Sequence, residues 1–161
     1  MRVREMKHSD AAEVASIYNE GIRGRGATFR REEVGESHVA AWVGEADRHP
    51  VLVAERDGAV VGWARSGCYS GFAPYAGVGE LAIYVTESAR GAGVGRELVN
   101  ALADACRERG CWKLIAKVFP SNQASIELLH RCGYRDVGLH LRHGEHEDGW
   151  RDVLLLEKSL R

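Results

Sequence analysis

The strongest constraint on the fold is a glycine-rich loop in the middle of the chain. The apolar run LAIYV, Leu81 to Val85, is followed after a short turn by RGAGVGREL, Arg90 to Leu98. Beyond Gly95 the apolar residues recur at helical spacing, so the loop joins a strand to an amphipathic helix. Without Cβ atoms, successive backbone N–H groups can turn toward one anion, and the helix N-terminus adds partial positive charge. The pattern therefore predicts a phosphate-binding loop, with pyrophosphate as the natural ligand.

Two common phosphate-binding loops do not fit this spacing. The dinucleotide fingerprint G-x-G-x-x-G needs a glycine where Arg96 stands, and a P-loop needs Gly-Lys-Ser/Thr after the turn. The segment that does fit is R-x-x-G-x-G, from Arg90 to Gly95. An isolated G-x-G more often only permits a tight turn. Here a strand, an arginine, glycines and a helix follow in order, which favours a binding loop.

Length, charge and cysteine content limit the class of protein. The 161 residues are enough for one domain, 1–161, with a full core. A formal net charge of −1 gives no basic field for nucleic acid or an anionic membrane. The N-terminus alternates apolar and charged residues and no run reaches transmembrane length, which predicts a cytoplasmic protein. Four irregularly spaced cysteines are expected to be buried thiols: Cys68, Cys106, Cys111 and Cys132.

Hydrophobic periodicity predicts about six strands and four helices around a central mixed sheet, an α/β (α+β) fold. A helix is expected from Ser37 to Ala46, and Asp57-Gly58 indicates a type I′ hairpin turn. The segments WKLIAKVF and SIELLHRC read as the strand and helix that follow the glycine loop. Two other glycine-rich segments, GIRGRGATFRREEVGE and YSGFAPYAGVG, are expected to line a site.

These motifs together resemble the GNAT superfamily of acyl-CoA-dependent N-acetyltransferases. Motif A of that superfamily is a strand, then Q/R-x-x-G-x-G/A, then a helix, and NQASIELLHRCGY resembles the motif that follows it. Further similarity, in IYNEGIRGRGATF, HPVLVAERDG, GELAIYV and GWRDV, is to the phosphinothricin acetyltransferase group and its arsinothricin-resistance relatives. The resemblance covers nearly the whole chain.

The resemblance implies a GNAT fold in which acetyl-CoA, the acetyl donor, lies where the parallel strands LAIYV and WKLIAKVF splay apart. The strand backbone would pair with the pantetheine, the glycine loop would hold the pyrophosphate, and Asn122 would meet the pantetheine. The implied cofactor-binding residues are Ile83, Tyr84, Val85, Arg90, Gly91, Ala92, Gly93, Val94, Gly95, Arg96 and Asn122. Asn122 is also placed to cap the helix before ASIELL, and the two roles can coexist.

Acetyl transfer to an amine requires a base, because an ammonium group with a pKa of about 10 has no lone pair. Glu80 is the candidate catalytic base, since it matches the carboxylate of the family's E-x-x-x-Y-V segment. Partial burial would have to raise its pKa, and a solvated strand-end glutamate is the alternative. The resemblance places the Val85 N–H at the thioester carbonyl. It leaves the general acid open, because Leu129 stands where many GNAT enzymes have a tyrosine.

The acceptor pocket is expected to use aromatic side chains, although one or two of them can instead cover the core. The predicted substrate-binding residues are Phe29, Tyr69, Phe72, Tyr75 and Trp150. Relatives that act on phosphinic or arsinic amino acids usually carry arginine in the loop where this chain has YSGFAPY. Arg65 can substitute for it or be a surface arginine. The expected acceptor is a small amine, an amino acid or an analogue of the phosphinothricin type.

Three histidines near the end, His140, His143 and His146, raise the question of a metal site. Gly144 and Gly149 favour a solvated turn without metal, or a turn that borders the acceptor pocket. A rival to the enzyme is a non-catalytic acyl-CoA-binding regulatory module, which the missing tyrosine and arginine favour and Glu80 and GWRD oppose. The resemblance also implies a homodimer.

Overall fold

The computed structural model describes residues 1–161. Its strands form one seven-stranded mixed sheet. The strands are β1 (Arg2–Glu5), β2 (Val51–Arg56), β3 (Ala59–Cys68), β4 (Val78–Val85), β5 (Lys113–Val118), β6 (Arg135–His146) and β7 (Gly149–Ser159). Their order across the sheet is β1-β2-β3-β4-β5-β7-β6. Only β4 and β5 are parallel, and all other neighbours are antiparallel. The predicted mixed α/β fold is confirmed, with one more strand than expected.

Four α-helices flank the sheet: α1 (Ala11–Arg23), α2 (Glu36–Ala40), α3 (Val94–Glu108) and α4 (Gln123–Arg131). The helix predicted from Ser37 to Ala46 is wrong in its second half, where Ala41–Glu45 form a 3₁₀ segment. Gly44 lies in that segment, and glycine is a poor helix former. None of the helices combines the length and apolar character that a membrane span requires.

The two faces of the sheet bury separate cores. Helices α3 and α4 cover a core that includes Leu98, Leu114 and Leu129. Helices α1 and α2 cover the other face, around Val14 and Trp63. Because side chains alternate along a strand, every second residue of β4 and β5 faces α1, and the others face α3. This alternation decides which side of the sheet each residue of the candidate site reaches.

The structure corrects the prediction of a solvated turn around the last three histidines. His140 and His143 lie within β6, and the connection to β7 is only Glu147 and Asp148. Of the two glycines that suggested a loop, Gly149 begins β7 with a positive φ of 114°. Gly144 follows a shift in the β6–β7 register after His140. A Cβ at Gly144 would lie 2.5 Å from the Phe29 ring, so this glycine permits a close tertiary contact.

The cysteine prediction is correct only in part. Cys106 and Cys132 are buried, Cys111 is half-buried and Cys68 is exposed. Cys68 is the last residue of β3, where the strand leaves the cover of the helices. The hairpin prediction is confirmed, because Asp57 and Gly58 both adopt positive φ, at 53° and 80°.

Candidate functional site

The parallel strands β4 and β5 separate soon after they meet. They pair from Val78, opposite Lys113, to Glu80, opposite Ile115, and no pair follows. The remainder of β4, through Val85, therefore borders a gap in the sheet. This is the splay that the sequence resemblance implied for the strands LAIYV and WKLIAKVF.

The edge of β4 that faces the gap carries free backbone groups. The Thr86 N–H donates to the Val61 carbonyl of β3 at 2.9 Å, and the β3–β4 register is regular. In such a ladder alternate N–H groups point to opposite sides. The N–H groups of Ile83 and Val85 therefore point into the gap, where β5 no longer meets them. An extended ligand can pair with this edge.

The glycine loop ends in an open helix N-terminus. Gly91 and Gly93 have positive φ angles of 76° and 82°, and open space lies where their Cβ atoms would stand. Gly93 is the N-cap of α3 and supplies no side-chain hydrogen bond to the first turn. The first N–H groups of this helix are thus available, together with its partial positive charge. This arrangement suits a phosphate group.

A groove of about 780 Å³ runs between this loop, β4 and the start of α4. Every predicted cofactor-binding residue except Ala92 lines it: Ile83, Tyr84, Val85, Arg90, Gly91, Gly93, Val94, Gly95, Arg96 and Asn122. A further wall comes from the end of α1 and the residues after it, such as Gly21 and Gly24. Both glycines belong to GIRGRGATFRREEVGE, a segment that was expected to line a site, although neither was among the predicted cofactor-binding residues.

Asn122 performs the capping role that its position suggested. Its Oδ1 accepts a hydrogen bond from the Ser125 N–H at 3.3 Å. Its Nδ2 makes no hydrogen bond within the protein, and the residue lines the groove. The side chain can therefore cap α4 and donate to a ligand at the same time. Its role toward a ligand stays a prediction.

Glu80 occupies the last paired position before the gap, between Gly67 of β3 and Ile115 of β5. By strand alternation its side chain faces α1, away from α3. Its Oε2 lies 3.4 Å from Lys117 Nζ, and about a third of the side chain is exposed. The side chain is thus partly buried, as the prediction assumed, and it forms an ion pair with Lys117.

The predicted substrate-binding aromatic residues fall into separate groups. Tyr69, Phe72 and Tyr75 form an exposed cluster, with ring centroids 5.7 Å apart from Tyr75 to each of the others. This cluster lies in the connection between β3 and β4, which begins two residues after Gly67, the β3 partner of Glu80. Phe29 instead packs edge-on against Phe119 at 4.8 Å. Trp150 is exposed on the β6–β7 hairpin and makes no ring contact with the others.

The segment after α1 crosses the gap and is tied to the β6–β7 hairpin. Arg25 forms an ion pair with Glu147, and Arg31 Nη2 donates to the Glu145 carbonyl at 3.3 Å. Arg151 Nη1 donates to the Arg25 carbonyl at 2.5 Å. The hairpin thus contacts the segment that carries Phe29, and its place beside an acceptor pocket stays a prediction. Arg25, Arg31 and Arg151 all use their guanidinium groups in these contacts within the protein.

The three histidines near the end of the chain, and Leu129 and His130 of α4, do not line the groove. His146 is buried, and its Nδ1 accepts a hydrogen bond from the Glu147 N–H at 2.8 Å. The rings of His140 and His143 stack 4.2 Å apart on β6. Leu129 is buried in the core. His130 Nε2 lies 2.8 Å from Asp136 Oδ1.

Comparison with known proteins agrees with this geometry. The family model described as "Acetyltransferase (GNAT) family" matches residues 12–134, which is most of the chain. The chain belongs to the GNAT acetyltransferase family. The match contains the gap, the glycine loop and the start of α4, so the candidate site lies in the part of the chain that defines the family.

Several GNAT proteins are similar over almost the full length. The L-amino acid N-acyltransferase MnaT of Escherichia coli is 29% identical, with 99% of this chain and 94% of the relative covered. The phosphinothricin N-acetyltransferase of Alcaligenes faecalis is 32% identical, with coverages of 98% and 82%. The structure of yncA, an acetyltransferase from Salmonella typhimurium with its cofactor acetyl-CoA, has a TM-score of 0.95 and 28% identity, with coverages of 100% and 94%. These relatives confirm the predicted group.

One feature separates this GNAT chain from the family pattern noted above. The loop of residues 69–76 contains no arginine, and Arg65 does not replace it. Arg65 forms an ion pair with Glu45 at 2.7 Å, and its guanidinium lies 4.7 Å from the centre of the Trp42 ring. It is therefore held against the region that follows α2 and is not available as an anion ligand in the loop.

Proposed function

We propose that the protein transfers the acetyl group of acetyl-CoA to the amine of a small amino acid or amino-acid analogue. The observation that carries this proposal is the position of Glu80. Its carboxylate stands at the point where β4 and β5 separate, beside the start of the backbone edge that borders the gap. The relatives named for L-amino acids and for phosphinothricin support the class of acceptor.

The groove fits acetyl-CoA, whose thioester supplies the activated acetyl group. Gly91, Gly93 and the first turn of α3 would hold the pyrophosphate with backbone N–H groups. The free edge of β4 would pair with the pantetheine, and the unused Nδ2 of Asn122 would donate to it. Arg96 at the rim adds a positive charge. A Cβ at either glycine would stand in the space that the phosphates need.

Glu80 acts as the base in the proposed mechanism. It accepts the proton of the acceptor ammonium, directly or through water, so that the nitrogen has a lone pair. The nitrogen then attacks the carbonyl carbon, and the C–N bond forms. The C–S bond breaks with its electron pair on sulfur, and the second proton of the nitrogen passes through water to the thiolate, which gives the amide and free CoA. The Val85 N–H, which points into the gap, stabilises the charge on the carbonyl oxygen. No cysteine lines the groove, which supports direct transfer without a covalent enzyme intermediate.

The alternative is a regulatory module that binds acyl-CoA without transferring the acetyl group. The buried Leu129 and the missing loop arginine favour it, whereas the position of Glu80 favours the enzyme. A thiol-release assay with acetyl-CoA and a panel of amines separates the two. The panel contains phosphinothricin, methionine sulfone, amino acids and polyamines. We expect release well above hydrolysis with at least one amino acid, and tight acetyl-CoA binding without release for any amine would support the module.

We also propose that the protein is a homodimer, as the family resemblance implies. Strand β6 is an edge of the sheet, and its exposed side chains include Val137, Leu139 and Leu141. A long apolar edge strand is a template for pairing with another chain. Light scattering is expected to give twice the 17.7 kDa mass of one chain. Lysine at both Leu139 and Leu141 should give the single-chain mass, and a wild-type protein with that mass would contradict the proposal.

A further inference from the structure

Lys117 is a cation on the acceptor side of the gap, and Glu80 is its one partner within the protein. It lies on β5 between Ile115 and Phe119, which are both buried and share its face of the strand. Its side chain is nearly half exposed. The contact with Glu80, at 3.4 Å, is its one ion pair and its one hydrogen bond. Two of the three donors of its ammonium group remain free.

Most other cations near this face are already paired; Arg30 has no ion pair, but its guanidinium lies over the Tyr18 ring, 5.8 Å from the ring centre. Arg25 is paired with Glu147, Arg65 with Glu45, and Arg151 with Asp148. Arg31 is committed to the Glu145 carbonyl. Lys117 is the cation that contacts Glu80 itself, so it can take a new anionic partner directly beside the base. Sequence reasoning did not single it out.

The proposed reaction itself changes the charge balance around Lys117. Once Glu80 accepts the proton of the acceptor amine, its charge is neutralised and Lys117 loses its counter-ion. An ammonium group on a half-buried face between two apolar residues is costly to leave unpaired. A substrate that carries an anion close to its amine would restore the balance at this step.

We propose that Lys117 binds the carboxylate of an α-amino acid acceptor. The inference rests on the proposed function, because it assigns a residue to the acceptor site of the same reaction. An α-amino acid carries its ammonium and carboxylate groups on one carbon, so they can meet two protein groups 3.4 Å apart at once. Glu80 then faces the ammonium and Lys117 faces the carboxylate, with charges alternating in sign. Lys117 is thus a specificity-determining residue that replaces the missing loop arginine.

The test compares an amino acid with its primary amide, which has the same side chain and amine but no carboxylate. For the amino acid found best in the panel, Lys117→Met is expected to raise KM about 10- to 100-fold, the loss of one charge-assisted contact. The KM of the amide should change less than about threefold, since it never paired with the lysine. Lys117→Arg should keep most of the preference for the acid.

Lys113→Met is the matched control. Lys113 lies on the same strand and forms an ion pair with Glu157 at 2.8 Å, at the end of β5 away from the gap. It should leave both KM values unchanged. An equal loss for the acid and the amide in Lys117→Met would overturn the inference, because Lys117 would then act only through Glu80. Equal use of both acceptors by the wild-type protein would also overturn it.

A binding measurement keeps this inference separate from the proposed function. Calorimetric titration of the amino acid into CoA-saturated protein reports carboxylate recognition without turnover. We expect the Kd to rise 10- to 100-fold for Lys117→Met. The Kd of Lys113→Met should equal that of the wild-type protein. If no amine releases thiol but this difference is found, the transfer reaction fails and Lys117 still recognises the carboxylate. If thiol is released and Kd does not change, only the role of Lys117 fails.

Discussion

Replacing Glu80 with glutamine is expected to lower kcat for amine acetylation by about 100- to 10,000-fold, the usual contribution of a general base. Glutamine keeps the size of the side chain but cannot accept the proton at neutral pH. The Kd of acetyl-CoA should stay within about twofold, because the glycine loop and the free edge of β4 are unchanged. Steady-state kinetics and calorimetry measure the two quantities on the same preparation.

The matched control for this variant is Glu157→Gln. Glu157 also belongs to a strand of the sheet and also pairs with a lysine, Lys113, but it lies away from the gap. Turnover in this control should equal that of the wild-type protein. If Glu80→Gln turns over at the wild-type rate, Glu80 is not the base, and its position no longer supports the proposed function.

Replacing Gly93 with alanine is expected to weaken acetyl-CoA binding about tenfold or more, the effect of one lost hydrogen bond to a charged group. The new methyl group would enter the open space beside the first turn of α3, where the phosphates are proposed to lie. The left-handed φ of 82° also costs an alanine about 1 kcal/mol of folding stability. Calorimetry measures the affinity, and urea unfolding measures the stability.

Gly58→Ala separates these two effects. Gly58 has a φ of 80°, and its Cβ position is also open, but it lies in the β2–β3 hairpin turn. Both variants should lose the same stability, and only Gly93→Ala should lose affinity. Equal acetyl-CoA affinity in all three proteins would mean that the glycine loop does not hold the pyrophosphate.

The central motif could be predicted because its signals are local. The apolar alternation of β4, the glycines and the start of α3 follow one another in the chain. They predict a strand, a loop and a helix in that order. Strand β6 was missed because Gly144 and Gly149 are typical of loops. In the structure Gly144 gives space to the Phe29 ring, which comes from a distant segment. A glycine required by tertiary packing cannot be told from a turn glycine by local pattern.

The candidate site was predictable along one strand and not across strands. Glu80 could be proposed because it opens the strand that leads to the glycine loop. Its neighbour Lys117 lies 37 positions later, and the contact depends on the pairing of β4 with β5. The aromatic residues were grouped by type in the sequence, but the structure divides them among three places.

The gap between β4 and β5 separates two tasks that a single pocket would have to combine. In the proposed mechanism the donor is held by the glycine loop and α3, and the amine is chosen by Lys117 and the loop of residues 69–76. Substitutions on the acceptor side can therefore change which amine is modified without altering the residues that bind acetyl-CoA. A family with this division can diversify its acceptors while it keeps one cosubstrate, and the arginine-free loop of this chain is an instance of such a change.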